Sequence, residues 1–383
     1  MPMAAGRLLW AVLLAALLAL TLCTGSAAAC AVCMLLLLLP LLALGCDVVC
    51  ARHVRCALDA PVNLQKGAQG ALRLTLQNGA ALPVCRAVCR GEGQNLLTGE
   101  RALLRAECGL LPHRAQTVEL QLRAAHTGRL RLRVDEVRMY DAFGLLGVRG
   151  AAQASAGVTV QPDTFQQQLI ILPADAPRLD AERYAPDRPG SDLTEPFQIR
   201  DYAPGDSRRQ ILWKLSGKYD RLIVKDASLP VQQDILVFWE RTGASSDAAR
   251  TDAQAEAVVT LCRSLLSQGA PFTLAWNEAP GARCVSFALR ELDDLIGVLP
   301  RLLSAAKVAS GAPGYTLLAQ AEELEAASHL VYITENTIPD AAAQNALRRF
   351  GRVSILACGD AAPDGGVVFD AERYAQQLQT LTI

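Results

Sequence analysis

The N-terminal end of the chain carries the longest apolar runs. Residues 8–25 form one run, Thr24-Gly25-Ser26 breaks the pattern, and residues 27–46 form a second run that contains Pro40. Each run is long enough to cross a hydrocarbon layer of about 30 Å, and proline is tolerated inside membrane helices. The pattern predicts a transmembrane helical hairpin over residues 1–51, with helices at about 8–25 and 27–46.

Further along, single apolar residues alternate with polar ones. The alternation is clearest at residues 72–76, 118–122 and 130–134. A period of two with one apolar face is typical of half-buried strands. We therefore expect a β-sandwich domain over residues 52–175.

The C-terminal part changes pattern again. Residues 235–239 are continuously apolar, as expected of a buried parallel strand. Further strands are predicted at 272–276, 330–334 and 353–357, and helices at 248–268, 289–306, 317–327, 340–350 and 371–381. Strand–helix alternation favours a doubly wound α/β domain over residues 231–383. The predicted fold class is therefore multi-domain α+β.

Residues 176–230 connect these two regions. Residues 176–200 are rich in Pro, Gly and Asp and predict a loop or linker. Within the next stretch, Pro204-Gly205-Asp206 predicts a tight turn. The alternation at residues 211–215 then favours a half-buried strand or extended segment, and residues 222–224 form another β-prone run.

Seven cations and four anions crowd into residues 200–226, the hallmark segment. One hypothesis is structural: an Arg–Asp network stiffens the join between two domains, and Trp213 anchors it by packing. The other is a recognition site for a carboxylate, a phosphate or an acidic partner. Arg200 and Arg209 are its best candidates, because a guanidinium suits bidentate contacts. The residues support both hypotheses.

The hallmark segment resembles that of the bacterial and archaeal "domain of unknown function 58" family. That hallmark runs roughly Arg-x-Tyr-x-Pro-Gly-Asp-x-x-Arg-x-Ile-x-Trp-Lys-x-Ser. The matching positions here are Arg200, Tyr202, Pro204, Gly205, Asp206, Arg209, Ile211, Trp213, Lys214 and Ser216. Leu212 departs from the family, which often has an acid there. A shorter stretch, Asp141-Ala142-Phe143-Gly144-Leu145-Leu146, resembles the family's Asp-Pro-Phe-Gly-Leu element with Ala142 in place of Pro.

The resemblance implies a membrane-anchored protein with a von Willebrand factor A-like (vWA-like) C-terminal domain. Proteins of this family often accompany MoxR-type AAA+ ATPases. It thus implies a non-enzymatic scaffold or adaptor that binds proteins through its vWA-like domain. The expected partners are such an ATPase, which would assemble or mature other proteins, and membrane lipid.

In the vWA fold the first strand commonly ends in Asp-x-Ser-x-Ser, whose oxygens hold Mg²⁺. The corresponding positions here begin at Glu240 and Thr242, which offer oxygens, but Ala244 cannot, and Arg241 adds a positive charge. A hard cation needs several oxygen ligands in good geometry. We therefore expect a degenerate site without Mg²⁺, and no other cofactor.

Charge sets the expected location. Arg7 precedes the first apolar run, Arg52 and Arg55 follow the second, and the turn between them has no charge. The positive-inside rule then predicts a multi-pass protein of the cell membrane with cytoplasmic soluble domains. The twelve cysteines agree if they are free thiols in a reducing compartment. The alternative is a signal peptide cleaved near residues 27–29, which would leave one span.

The remaining function classes are weighed by charge and motif. A net charge of −1 argues against nucleic-acid binding. The sequence has no P-loop, nucleophile elbow or metalloprotease motif, so we expect no enzyme. Two alternatives stay open: a cryptic hydrolase or transferase that uses Arg200, Asp206 and Arg209, and an extracellular adhesive vWA protein.

Overall fold

A computed structural model describes most of the chain. The described residues are 2–141, 144–172, 184–203, 206–230, 235–243, 247–278, 281–309, 312–321, 324, 327–336, 346–347, 350–359 and 366–383. The protein is a mixed α+β protein with two apolar N-terminal helices and β-rich domains. It divides into two compact units, Met1–Asp163 and Thr164–Ile383.

Two long helices begin the first unit. Helix α1 spans Pro2–Thr24 and α2 spans Ala27–His53, and Gly25 between them has a φ of +60°. Both helices are long and apolar enough to cross a membrane, a test that an N-terminal signal sequence also passes. The second helix runs past the predicted end at residue 46. Its last turns carry the buried residues Asp47, Cys50 and Ala51, so this end packs against protein.

Two sheets complete the first unit. The first has the order β1-β3-β6, and the second the order β2-β9-β7-β4-β5 with β8 paired to β7. Their bounds are β1 Val54–Asp59, β2 Asn63–Gln65, β3 Gln69–Asn78, β4 Val84–Asn95, β5 Arg101–Leu110, β6 Ala115–Arg123, β7 Gly128–Tyr140, β8 Gly147–Gly150 and β9 Ala154–Gln161. All pairs are antiparallel except β2 with β9.

The alternating leucines of β3 supply part of the core. Leu72, Leu74 and Leu76 are at most 1% exposed, which confirms the predicted alternation there. Leu74 and Leu76 join Val137 and Met139 of β7 in one buried cluster. Residues from both sheets therefore share one apolar core.

The second unit is built on a six-stranded sheet of order β15-β14-β13-β16-β17-β18. In sequence rank this is 3-2-1-4-5-6, the order of a doubly wound sheet. The bounds are β13 Ile235–Trp239, β14 Phe272–Glu278, β15 Arg283–Leu289, β16 His329–Thr334, β17 Arg352–Cys358 and β18 Val367–Phe369. Only the β14–β15 pair is antiparallel. The predicted strands at 235–239, 272–276, 330–334 and 353–357 are confirmed.

The remaining elements of this unit come before, between and after the strands of this sheet in the sequence. Their bounds are β10 Gln168–Ile170, β11 Tyr184–Asp201, α3 Trp213–Tyr219, β12 Ile223–Pro230, α4 Ala248–Ser267, α5 Leu292–Leu302, α6 Gly314–Gln320, α7 Tyr374–Gln377 and β19 Thr380–Thr382. The predicted helix at 248–268 is confirmed, and Gly269 beyond it has a φ of +67°. The predicted helix at 340–350 lies mostly outside the described residues.

The expectation of a strand at residues 211–215 was wrong. A 3₁₀ turn covers Arg208–Gln210 and α3 begins at Trp213. The Ser216 hydroxyl donates to Leu212 O (3.0 Å) and accepts from Ile223 N (2.9 Å). These two bonds hold a helical turn where the alternation favoured an extended chain. The prediction failed because a short apolar alternation does not fix the backbone conformation.

Three further expectations need correction. From Tyr184 onward the predicted linker is strand β11, which pairs with β12 through repeated register shifts. Such shifts suit a proline-rich strand, since proline cannot donate to the ladder. Residues 371–381 hold only the short α7 and then β19, because the chain end pairs with β10. The helices predicted at 289–306 and 317–327 are the shorter α5 and α6.

A glycine marks the closest approach between β4 and β7. Gly91 lies at a register shift between them, and a Cβ there would collide with Arg133 O and lie 2.9 Å from the Cα of Val134. We expect Gly91→Ala to lower the free energy of unfolding by about 1–3 kcal/mol through overpacking, measured by chemical denaturation of the detergent-solubilised chain. Gly157→Ala in β9 is the matched control, since its Cβ would lie 3.8 Å from its nearest neighbour. Equal effects would contradict the packing argument.

Candidate functional site

The hallmark segment folds around a bidentate ion pair. Arg200 Nη1 donates to Asp206 Oδ2 (2.7 Å) and Arg200 Nη2 donates to Asp206 Oδ1 (2.8 Å). The backbone amide of Ala203 also donates to Asp206 Oδ2 (2.8 Å). The first and last charged residues of the Arg-x-Tyr-x-Pro-Gly-Asp stretch thus bind each other and close the turn between them.

This pairing uses the planar fork of the guanidinium inside the protein. Two parallel N–H···O bonds are the geometry that favours arginine at carboxylates. The hydrogen bonds from Arg200, and next that from Ala203, lower the pKa of Asp206 to about 2. Asp206 is therefore a poor general base at neutral pH, and Arg200 already has an anionic partner.

Several other hallmark residues support the same turn. The Tyr202 amide donates to Leu222 O (2.9 Å), Ile211 forms a bridge with Val224, and Ser216 fixes the start of β12 as described above. Ile211 is 8% exposed and Ser216 is 7% exposed. Pro204 and Gly205 lie outside the described residues.

The remaining hallmark residues are exposed. Trp213 is 65% exposed, which contradicts the expectation that it anchors the segment by packing, and Arg209 and Lys214 are also exposed. Helical spacing places Lys214 and Lys218 one turn apart, opposite the buried Ser216. The name α3 face is used below for the exposed side chains Trp213, Lys214, Leu215, Lys218 and Tyr219.

The α3 face combines aromatic and cationic side chains. Tyr219 is 55% exposed, and the Lys218 ammonium lies 5.7 Å from its ring centroid. Exposed aromatic residues beside cations are typical of contact surfaces rather than of a solvated loop. The sequence analysis missed this arrangement because its structural hypothesis took Trp213 as a packing anchor of the join between two domains.

Hydrogen bonds also hold the shorter stretch that begins at Asp141. Asp141 Oδ1 accepts from the Leu146 amide (3.0 Å), and the Gly144 amide donates to Asp141 O (2.9 Å). Gly144 has a φ of +68°, a conformation that favours glycine. Asp141 and Gly144 therefore shape the connection between β7 and β8. Ala142 and Phe143 lie outside the described residues.

A second candidate site lies at the carboxyl ends of β13 and β16. These adjacent strands are first and fourth in sequence rank, so their junction is the switch point of the sheet, where open α/β sheets commonly bind ligands. Glu240, directly after β13, is 3% exposed. Its Oε1 accepts from Thr242 Oγ1 (2.7 Å) and from the Gly314 amide (2.8 Å), and its Oε2 accepts from Thr334 Oγ1.

Two cations with buried side chains lie near this carboxylate: Arg241 follows it directly in the sequence, and Lys307 is brought near by the fold, since the Val308 amide donates to Arg241 O (2.9 Å). Arg241 is fully buried; its Nε donates to Ala305 O (2.8 Å), and its guanidinium lies 4.5 Å from the Trp239 ring centroid. Burial lowers the pKa of Arg241 to about 9. Lys307, whose ammonium pairs with Glu335, has its pKa lowered to about 8 by burial and then by the charge of Arg241.

Neutral groups extend this network. Gln254 accepts from Trp239 Nε1 (2.9 Å) and donates to Glu335 Oε2 (3.2 Å), and Asn336 Nδ2 donates to Thr242 O (3.1 Å). The switch point is therefore occupied by protein side chains, and both oxygens of Glu240 accept hydrogen bonds. The arrangement can hold buried charge, and it leaves the oxygens of Glu240 engaged with donors.

The predicted degenerate metal positions do come together. Thr242 faces Glu240, but as a hydrogen-bond donor to it, and Ala244 lies outside the described residues together with residues 245–246. Sequence reasoning missed Lys307 and Gly314. Lys307 offered one signal: it is the only lysine after Lys225 in the sequence, within an otherwise apolar stretch.

The low pKa of Asp206 generates a prediction. The group's folded pKa of about 2 lies below its ordinary value of 3.8, so its contribution to stability is present above about pH 4 and is lost as pH falls toward 2. We expect its carboxyl ¹³C shift, assigned by difference from Asp206→Asn in aspartate-labelled protein, to titrate near 2. In Arg200→Gln the midpoint should move toward 3.8. An unchanged midpoint in that variant would contradict the pairing.

The hydrogen-bond network at Glu240 generates a second prediction. Glu240→Ala removes the acceptor for Gly314 N and leaves two buried cations with less compensation, so we expect a loss of about 3–5 kcal/mol in the free energy of unfolding. Chemical denaturation monitored by tryptophan fluorescence measures it, since Trp239 is buried in this network. Glu372→Ala, at an exposed carboxylate of the same unit, is the control and should be nearly neutral. A small loss at Glu240 would show that the network does not hold this unit together.

No protein-family model matches the chain, and no curated protein matches it. Among solved structures, a CARDB domain from Pyrococcus furiosus is similar to 28% of this chain and 87% of its own, at 13% identity and a TM-score of 0.22. A cohesin module of a family 33 glycoside hydrolase from Clostridium perfringens is similar to 29% of this chain and 99% of its own, at 11% identity and a TM-score of 0.23. Likeness at this level carries no statement about function.

Proposed function

We propose that the protein is a membrane-anchored, non-enzymatic scaffold or adaptor that works with a MoxR-type AAA+ ATPase in the assembly or maturation of other proteins. The α3 face carries this proposal. In the hallmark segment Arg200 and Asp206 bind each other within the turn, whereas Trp213 is 65% exposed. A motif that pairs Arg200 with Asp206 internally and presents an aromatic residue beside exposed lysines is suited to binding another protein.

Anchoring rests on the two N-terminal helices. Both are long and apolar enough to cross a membrane, and they carry exposed leucines along most of their length. The charge bias around them favours cytoplasmic soluble domains. Contact with membrane lipid follows from the same helices.

The vWA-like assignment of the second unit is part of the proposal. It is supported by the strand order 3-2-1-4-5-6 of a doubly wound sheet with parallel central strands. At the position where the vWA fold commonly holds Mg²⁺, Glu240 accepts hydrogen bonds from Thr242, Gly314 and Thr334. We propose that this domain binds its partners without a bridging metal, which disfavours a metal-dependent adhesive role.

The hydrolase or transferase alternative has less support. It requires Asp206 as a base and Arg200 as an anion clamp, but these two groups bind each other. The depressed pKa of Asp206 further weakens it as a base near neutral pH. Arg209 alone remains exposed, and one exposed arginine does not make a catalytic site.

Affinity capture tests the adaptor proposal. Tagged full-length protein is recovered from native membranes, and co-purified AAA+ ATPase is quantified by mass spectrometry. We expect Trp213→Ala to reduce ATPase recovery at least about tenfold, since a central aromatic anchor of an interface is typically worth 2 kcal/mol or more. Asp206→Asn should also reduce recovery, because it loosens the turn that carries α3.

The control removes an apolar side chain that is even more exposed, in the other unit. Leu103 is 92% exposed in the first unit, and Leu103→Ala should leave recovery unchanged. Full recovery with Trp213→Ala would assign the motif a structural role only. If wild-type protein recovers no AAA+ ATPase, the adaptor proposal is wrong.

A further inference from the structure

Two buried carboxylates lie on elements of the first unit that pack against each other, at a place that the proposed adaptor function does not use. Asp47 lies in the last turns of α2, and Asp141 directly follows β7. Each is only 4% exposed. Neither residue belongs to the predicted sites, although Asp141 begins the family's shorter element.

Helix α2, which carries Asp47, packs against the β7–β8 hairpin, which carries Asp141 in its connection. Ala51 of α2 lies close to Gly150 of β8, since a Cβ on that glycine would be 3.6 Å from Ala51 O. Ala51 and Met139 share the buried core of this unit. Asp47 lies one helical turn before Ala51, and Asp141 directly follows the last residue of β7, so this packing places both residues on the same side of the core.

Asp141 is held in place but not satisfied. Its Oδ1 accepts from the Leu146 amide (3.0 Å), which closes the turn after β7. Its Oδ2 is buried and has no hydrogen-bond partner among the described residues. The turn therefore fixes this carboxylate while one oxygen stays available.

Asp47 has the same shortage. Its Oδ2 is also buried without a hydrogen-bond partner among the described residues. Removing a carboxylate from water without pairing it is costly, and a neighbouring charge of the same sign adds to that cost. Two such groups on packed elements need compensation, by a proton or by a positive partner.

We propose that Asp47 and Asp141 form a binding site for a divalent cation of the Mg²⁺ or Ca²⁺ class. One Oδ2 atom from each residue ligates the ion, which neutralises both charges, and water completes its shell. Hard divalent cations take carboxylate oxygens as ligands, and Mg²⁺ characteristically keeps several waters beside one or two carboxylates. The Leu146 amide orients the Asp141 ligand from behind, as outer-shell partners of metal ligands commonly do.

The consequence is a cation that ties the end of an apolar helix to a β-hairpin. Asp47 belongs to α2 and Asp141 to the β7–β8 connection, so an ion between them crosslinks elements that are distant in sequence. Because the folded unit binds the ion and the unfolded chain does not hold the two residues together, binding stabilises the fold.

The test uses full-length protein in detergent micelles, treated with a chelator and then titrated with Mn²⁺ as the probe. Free Mn²⁺ is followed by electron paramagnetic resonance. We expect one saturable site per chain, which Mg²⁺ or Ca²⁺ displaces. Asp47→Asn and Asp141→Asn should each bind at least about tenfold more weakly, since each removes one of two charged ligands. Asp59→Asn, at an exposed carboxylate of the same unit, should bind like the wild type.

Thermal unfolding gives an independent readout. Mn²⁺ should raise the Tm of the wild type and of Asp59→Asn, but not of the two site variants. Asparagine keeps the size and an acceptor oxygen and removes a buried like charge, so both variants should fold without metal. The proposal is overturned if the wild type shows no saturable binding of Mn²⁺ or no rise in Tm. Either result is expected if the two carboxylates share a proton or pair with a basic side chain instead of a metal ion. The proposal is equally overturned if both site variants bind Mn²⁺ as tightly as the wild type.

Discussion

The second unit depends on keeping one carboxylate buried at the switch point of its sheet. Glu240 lies at the end of the first strand, and its donors come from three places: its own loop at Thr242, the end of β16 at Thr334, and the start of α6 at Gly314. A buried carboxylate is tolerated only when its oxygens are satisfied. The hydrogen bonds that Glu240 requires therefore hold the start of α6 next to the carboxyl ends of β13 and β16.

The same rule shapes the hallmark segment near the surface. Asp206 accepts from the Arg200 guanidinium and the Ala203 amide, so its charge is spent inside the turn. Once the turn is closed in this way, the helix that follows is left with Trp213 and Lys214 outward. The same arrangement therefore pairs Arg200 with Asp206 inside the turn and leaves Trp213 exposed.

Hydrophobic periodicity predicted the regular elements well because burial itself is periodic. The β3 leucines and the continuous run of β13 both point into cores that any sheet of that pattern would form. Periodicity failed at residues 211–215. There the two hydrogen bonds of the Ser216 hydroxyl, to Leu212 O and from Ile223 N, outweigh a short apolar alternation. Periodicity also missed β15 and β18, which are a sheet edge and a short strand.

The sequence by itself determined the two apolar helices, the β-rich middle and the strand–helix alternation of the last part, because these depend on which residues avoid water. It also supplied the residues of the Arg200–Asp206 pair and of Glu240 and Thr242. Only the tertiary structure decided that Arg200 and Asp206 bind each other, and that Glu240 accepts hydrogen bonds from Thr334 and Gly314. Such contacts join positions far apart in the chain, and their energy depends on distance and burial, which spacing along a sequence does not encode.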